Sequence, residues 1–415
     1  MSTLSRHPVV VVGAGPAGCA AALGLARQGV EVLLLERDRF PRDKICGDVL
    51  LPEARSALEH LGLDLAPLAD LAHRLDRAHY VTPSGRGYTL PFADLDARTQ
   101  PWWVVPRLRF DAWLAAQVQT AGVELRQGWR VTDLFTDAQQ VAGVQVQVDG
   151  AAPVRLEAAA VVGADGASSA VARAMGRFAR EPQHLCLALR GYAEDLHDEA
   201  SSTFSIYTTA GSLPGCGWVV PCGQGRANVG LGAIRADLTA RGLTMRGLLD
   251  EVAAAHPAFA SALARCSGLR GWSLPGGSQP LSRSSAGLLL IGDAGAMIDP
   301  FTGHGIHTAL DAGILAGEVL VAALARGDLG VASLGELDRR WQQRWHTEMA
   351  LGRVLQRGSA APWRVEAGLR YVCKSDRLRR LVGGLVGHAY PRAALLSPAG
   401  WWRGLGPRAQ DKVEA

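Results

Sequence analysis

Residues able to do chemistry gather at four places in this sequence. Gly13, Gly15 and Gly18 are spaced G-x-G-x-x-G, with Glu36 following. In that spacing the first glycine permits a tight turn, the second lets a pyrophosphate approach the backbone, and the third lets a helix pack closely on a strand. Glu36 stands about 20 residues past the glycines, where an acid can take two ribose hydroxyls. The second place is the charged loop Arg37–Asp48, RDRFPRDKICGD, which carries one thiol, Cys46, close to Lys44. Positive neighbours lower a thiol pKa and favour a reactive thiolate; a small residue chosen for packing is the alternative. Asp165-Gly166 follows an apolar run, and Asp293 follows another, GLLLIGD, ahead of Pro300 and the turn Gly303-His304-Gly305-Ile306.

The elements that must position these groups are legible around them. Val9–Val12 is a β-branched run that predicts a buried strand, followed by an Ala/Leu-rich helix to Gln28 and a second parallel strand, Val30–Leu35. Strand, glycine turn, helix and acid together predict a dinucleotide site rather than an ordinary glycine-rich βα turn. The helix N-terminus offers free N–H groups and partial positive charge to phosphates. Pro52–Leu61 and a stretch through Ala121 read as helices. Ala78–Thr82 and Gly87–Pro91 read as strands, and Val123–Arg126 with Val141–Val148 as a small meander. Leu185–Ala193, Thr203–Thr208, Gly217–Pro221 and Arg226–Ala233 alternate like an antiparallel sheet. Leu238–His256 and Gly305–Ala325 read as helices, and the chain beyond is mostly helical. Nucleotide-type strands recur at the start, near residue 160 and near 290, so the antiparallel region is inserted within the first.

Composition narrows the classes. The chain has 415 residues, 48% hydrophobic and 20% charged, which suits a globular protein of one large or two interlocked domains. Net charge is +4 with no lysine-rich run, which argues against a nucleic-acid partner. Seven cysteines, an odd number with no C-x-x-C, argue against a disulfide framework or a zinc site and for a reducing cytoplasm; no metal is expected. Val9–Ala26 is uncharged, but its glycines and proline mark the fingerprint rather than a membrane span, and no other span candidate is expected.

The ordered set G-x-G-x-x-G…E, G-A-D-G-x-x-S and I-G-D-A…D-P…G-x-G-I resembles the FAD-binding motifs of the para-hydroxybenzoate hydroxylase superfamily. Within it, KICGD with GCGWVVPCGQGRANVGLGA is similar to the geranylgeranyl reductase family, as are Leu189-Arg190-Gly191-Tyr192 and Leu395-Leu396-Ser397-Pro398. The resemblance implies an α/β fold: a Rossmann-like FAD-binding domain (1–75, 102–180 and 275–330), an antiparallel-sheet substrate domain (76–101 and 181–274) and a helical C-terminal region (331–415). It implies FAD held by Gly13, Gly15, Pro16, Ala17, Gly18, Glu36, Arg37, Lys44, Cys46, Gly47, Arg107, Asp165, Gly166, Gly292, Asp293, Pro300, Gly303, Gly305 and Ile306. Arg107 matches the arginine of R-x-x-F-D, with Arg109 its competitor. Asp165-Gly166 as a simple turn and Asp293 as a helix cap stay open. Cys46 is the implied catalytic residue; His304 and His307 depart from the G-x-G-I turn, and His304 is a second catalytic candidate that could hydrogen-bond flavin or donate a proton, with a structural histidine as the alternative. Trp218 and Pro221 are the implied substrate contacts, with ordinary core packing beside it.

The activity implied is reduction of prenyl C=C bonds by reduced flavin, with NAD(P)H as a transient donor since no second fingerprint occurs. An FAD monooxygenase acting on an aromatic or polyketide substrate is the alternative. A halogenase fits less well, because Cys216 stands where W-x-W-x-I-P needs tryptophan and no lysine lies between Lys44 and Lys374. A prenyl-binding escort protein without catalysis would lack parts of the flavin motifs. The expected partner is a hydrophobic small molecule, and the expected location is cytoplasmic. Arg377, Arg379, Arg380, Trp401, Trp402 and Arg403 suit transient contact with a membrane surface, or a solvated helical face with a packed tail.

Overall fold

The computed structural model describes residues 4–92, 101–149, 151–178, 181–196 and 202–375, with 378, 379, 382 and 392. Leu395–Pro398, Arg377, Arg380 and Trp401–Arg403 lie outside the described residues.

An eight-stranded sheet and a seven-stranded sheet carry the architecture, with a three-stranded sheet beside them. In the first, Leu4–Val12 pairs in parallel with Val32–Glu36 on one side and Val154–Gly163 on the other. Glu124–Gln127 extends the parallel set at one edge and Leu288–Leu290 at the other. Strands flanked by helices are buried on both faces and read as continuous apolar runs; VLLLE at Val32–Glu36 is buried at every position. The helix Pro16–Arg27 packs against the long helix Ile306–Arg326, where small residues let the backbones touch. A Cβ added at Gly313 would lie 2.4 Å from the Ala17 carbonyl oxygen.

The expected strand Val123–Arg126 forms as Glu124–Gln127, but in the parallel sheet beside Val32–Glu36 rather than in the meander. Its place in the meander is taken by Trp129–Asp137, paired antiparallel with Gln140–Val148. The expected helix Leu238–His256 is two helices, Arg235–Arg241 and Met245–Ala255. Gly242, at φ +63°, ends the first of them. Ile306–Arg326 is long and apolar enough to cross a membrane, contrary to expectation, yet 67% of its apolar window is buried inside the fold.

The seven-stranded sheet runs Cys266–Pro275, Leu185–Ala193, Arg226–Ile234, Cys216–Gly223, Thr203–Tyr207, Arg77–Val81, Gly87–Pro91. Its pairs are antiparallel except Thr203–Tyr207 with Arg77–Val81. One face packs on the helices Met245–Ala255 and Pro257–Ala264 around Phe259; part of the other is a cavity wall.

Candidate active site

A cavity of about 550 Å³ runs from the C-terminal ends of the parallel strands to the open face of the seven-stranded sheet. Every sequence-predicted site residue lines it except Gly18 and Pro221. Gly18 acts by packing: a Cβ there would lie 1.9 Å from the Gly13 carbonyl oxygen. In Cys216–Gly223, alternate residues Cys216, Trp218 and Val220 line the cavity, and Pro221 falls out of that alternation. The period of two in a strand assigns it to the opposite face, so Pro221 does not join Trp218 there.

The glycine turn fits a dinucleotide. Gly13 sits at φ +98°, where a Cβ would also meet the Ala164 carbonyl at 2.5 Å. Gly15 has open space where its side chain would be. No side chain caps the helix it precedes, so the first-turn N–H groups are available to a pyrophosphate. Glu36 is buried and accepts from Ala14 N (3.0 Å), Arg42 (3.1 Å) and Asp38 N (3.1 Å). A carboxylate has about four lone-pair sites, so one remains for a ribose hydroxyl where the sequence predicts two contacts.

Arg42 continues from Glu36 to Asp111, with Nη1 at 2.5 Å from Oδ2. Asp111, fully buried, also accepts from Arg107 at 2.5 and 2.7 Å. Burial alone would raise the Asp111 pKa, but Arg107 and Arg42 outweigh it and hold the carboxyl below its ordinary value. The Arg107 guanidinium lies near the Cys46 side chain, whose negative charge when ionised would favour the charged guanidinium. Arg107 is thus the cavity arginine and Arg109 is exposed.

The thiol loop is strapped to the seven-stranded sheet. Arg190 pairs with Asp43 at 2.9 and 3.1 Å and donates to the carbonyls of Lys44 (2.7 Å) and Cys46 (3.3 Å). Asn228 donates to the Cys46 carbonyl (2.7 Å) and to Asp48 (2.8 Å), and its own oxygen accepts from the Trp218 indole (2.9 Å). Tyr192 donates to Asp48 at 2.6 Å. Asp48 is fully buried, and burial raises its pKa against these donors and Arg190. The Trp218 ring lies over Gly230, where a Cβ would come within 2.2 Å of it. The separate stretches KICGD, LRGY, GCGW and NVGLG therefore form one hydrogen-bonded unit. Lys44 reaches the other way, 3.5 Å from Asp293 and 4.7 Å above the Trp272 ring.

Asp165 is spent largely on structure. Its carboxylate accepts from Ser169 Oγ (2.5 Å), Ala170 N (2.6 Å) and Val171 N (3.3 Å), fastening the start of the helix Ala170–Ala174 while the residue lines the cavity. Asp293 faces Lys44 rather than capping a long helix. The turn Gly303–Ile306 opens the helix Ile306–Arg326, again with no side-chain cap, and His304 meets Trp102 edge-on at 5.8 Å between ring centroids. His307 packs instead on Trp345, outside the cavity lining. Behind the turn, Asp299 is paired with Arg392 at 2.6 and 3.1 Å, both 1% exposed.

Sequence reasoning missed Arg42, Asp111, Asp48, Asn228, Asp299 and Arg392 and gave Arg190 no role. Asp111 was visible as the i+4 partner of Arg107. Arg392, 93 positions from Asp299, had no signal.

These features define a flavoprotein of the FAD-binding type, and the FAD-binding domain family matches residues 6–336. Digeranylgeranylglycerophospholipid reductase 1 of Methanococcoides burtonii is 32% identical over 350 residues, covering 83% of this chain and 82% of that protein. Menaquinone reductase of Mycolicibacterium smegmatis is 31% identical over 331 residues, 77% of each. A geranylgeranyl bacteriochlorophyll reductase-like protein from Thermoplasma acidophilum superposes with a TM-score of 0.77 at 22% identity, covering 99% of this chain and 98% of that one; it shares the fold. The chain belongs to the geranylgeranyl reductase family of FAD-dependent oxidoreductases.

Proposed function

We propose that this enzyme reduces C=C bonds in the prenyl chain of a hydrophobic small molecule, with electrons from transiently bound NAD(P)H. The observation that carries this reading is the placement of Cys46. Its loop lines the same cavity as the dinucleotide cradle and an apolar wall of Phe204, Trp218, Val220 and Leu274. FAD, held by the glycine turn and Glu36, would when reduced supply the hydride for one carbon of the double bond. The chain's part is to hold the alkene against Trp218, exclude water with the apolar wall, and deliver a proton to the other carbon. We assign that proton to the Cys46 thiol. Arg107 then stabilises the thiolate that is left, and Arg190 and Asn228 fix the carbonyl of the same residue. His304 lines the same cavity.

The test is anaerobic. The yellow protein is reduced with dithionite and mixed with a geranylgeranyl lipid. Return of oxidised-flavin absorbance without oxygen supports the reading. Flavin that stays reduced until oxygen enters, with consumption of an aromatic substrate, transfers the assignment to a monooxygenase.

A further inference from the structure

The helix Pro362–Val372 divides into two sides. Pro362, Val365, Glu366, Leu369 and Val372 are half-buried or buried, whereas Trp363, Arg364, Ala367, Gly368, Arg370 and Tyr371 are exposed. At helical spacing each set forms one continuous side of about three turns. Glu366, the helix's one acid, belongs to the inward side: its carboxylate accepts from Ser84 N at 2.9 Å, in the turn between the strands Arg77–Val81 and Gly87–Pro91. The outward side therefore carries two aromatic rings, two arginines and two small residues, with no acid. Trp363 and Tyr371 are each 68% exposed.

A solvent-facing helix side ordinarily mixes both signs of charge. The preceding helix, Glu336–Gly358, does so: Arg339 pairs with Glu336, Arg340 with Glu318 and Arg344 with Asp311. Among the described residues neither Arg364 nor Arg370 forms an ion pair, and the Arg364 guanidinium lies 5.2 Å from the centroid of the Trp363 ring. Of the five large apolar or aromatic side chains exposed among the described residues, three, Val354, Trp363 and Tyr371, fall in this stretch, beside exposed Arg357. Aromatic rings with a polar edge suit the boundary between lipid head groups and acyl chains, and arginines among them are held by anionic lipid. A second protein copy is a poorer match. A side about 16 Å long and 10 Å wide offers roughly 160 Å², far below the roughly 800 Å² per partner of a stable interface.

We propose that the outward side of Pro362–Val372 docks this protein on an anionic bilayer surface, with Trp363 and Tyr371 entering the head-group layer and Arg364 and Arg370 pairing with lipid phosphates. Gln356, which lines the cavity, precedes this helix by six residues, so docking holds that part of the cavity wall near the bilayer. Binding to the surface does not depend on the prenyl-reductase reading; only loading of a hydrophobic substrate from the docked state does.

The test needs no turnover. Full-length holoprotein is sedimented with vesicles of phosphatidylcholine alone, and with vesicles of two parts phosphatidylcholine to one part phosphatidylglycerol. The expected result is partitioning onto the anionic vesicles that weakens with added salt. It should fall about fivefold for each arginine removed, so R364Q/R370Q loses roughly 25-fold, and R364K/R370K keeps most of the binding. W363S/Y371S should weaken it several-fold. All four side chains are exposed, so folding does not confound these variants. R235Q/R246Q removes the same charge from exposed arginines on two other helices and should leave partitioning unchanged. Wild-type protein that binds both vesicles equally, or neither, overturns the proposal. So does partitioning that survives W363S/R364Q/R370Q/Y371S, which places the contact elsewhere in the chain, or a lipid-free dimer that W363S/Y371S dissociates, which gives the surface to a second copy. Flavin reoxidation by a geranylgeranyl lipid in detergent needs no bilayer, so its failure counts against the reductase reading alone.

Discussion

Asp111→Ala tests whether the buried charge chain holds the cofactor region together. Asp111 is fully buried and is shared by Arg107 (2.5 and 2.7 Å) and Arg42 (2.5 Å). Alanine leaves Arg42 with Glu36 but strands the Arg107 guanidinium in the interior beside Cys46. Breaking a buried pair by removing one partner costs about 3–5 kcal/mol, a large share of the ~5–15 kcal/mol typical of a native protein. Equilibrium urea unfolding of the holoprotein, followed by tryptophan fluorescence, should show a loss of that size. Asp111→Asn keeps an acceptor and should lose less. The pH dependence has a definite sign. The folded Asp111 pKa is depressed, so its stabilisation is fully present above the ordinary carboxylate pKa and is lost as pH falls through the folded value. The acid limb of the stability profile should therefore flatten in Asp111→Asn. An Asp111→Ala protein within about 0.5 kcal/mol of wild type, the range of an ordinary surface change, would refute the reasoning.

Other substitutions probe the remaining contacts. Gly18→Ala puts a methyl 1.9 Å from the Gly13 carbonyl, which backbone cannot yield to, and should purify without bound yellow flavin; full FAD content would contradict this. Asn228→Ala releases the Cys46 carbonyl and Asp48, and should raise the rate of Cys46 alkylation by iodoacetamide several-fold, with no change counting against the clamp. Arg392→Met leaves Asp299 buried without its bidentate partner; the expected cost is again about 3–5 kcal/mol in urea unfolding, with weaker FAD retention because the Asp299–His304 segment faces the cavity.

Much of this molecule was legible in its sequence because periodicity and turn chemistry are local. The strand–glycine–helix unit at Val9–Gln28, the strands Ala78–Thr82 and Gly87–Pro91, and the alternation from Leu185 to Ala233 needed only neighbouring residues to be read. Part of what stayed hidden is non-local. Glu124–Gln127 looks like any short strand, and only pairing with Val32–Glu36 decides its sheet. Gly242 split a helix that apolar spacing alone would continue. Pro221 sits in a motif with Trp218, yet three positions along a strand reverse the face. The charges are the clearest case: Arg107 and Asp111 are neighbours by their i, i+4 spacing, but only the fold brings Arg42 to the same carboxylate.

The measurement that bears most directly on prenyl reduction is the mass of the lipid after an anaerobic single turnover. Dithionite-reduced protein is mixed with one equivalent of a geranylgeranyl lipid, quenched, and the extracted lipid is weighed by mass spectrometry. A gain of two hydrogens per flavin reoxidised, slowed in Cys46→Ala, is the predicted result. A lipid recovered unchanged anaerobically, or one that gains oxygen once air is admitted, would contradict it.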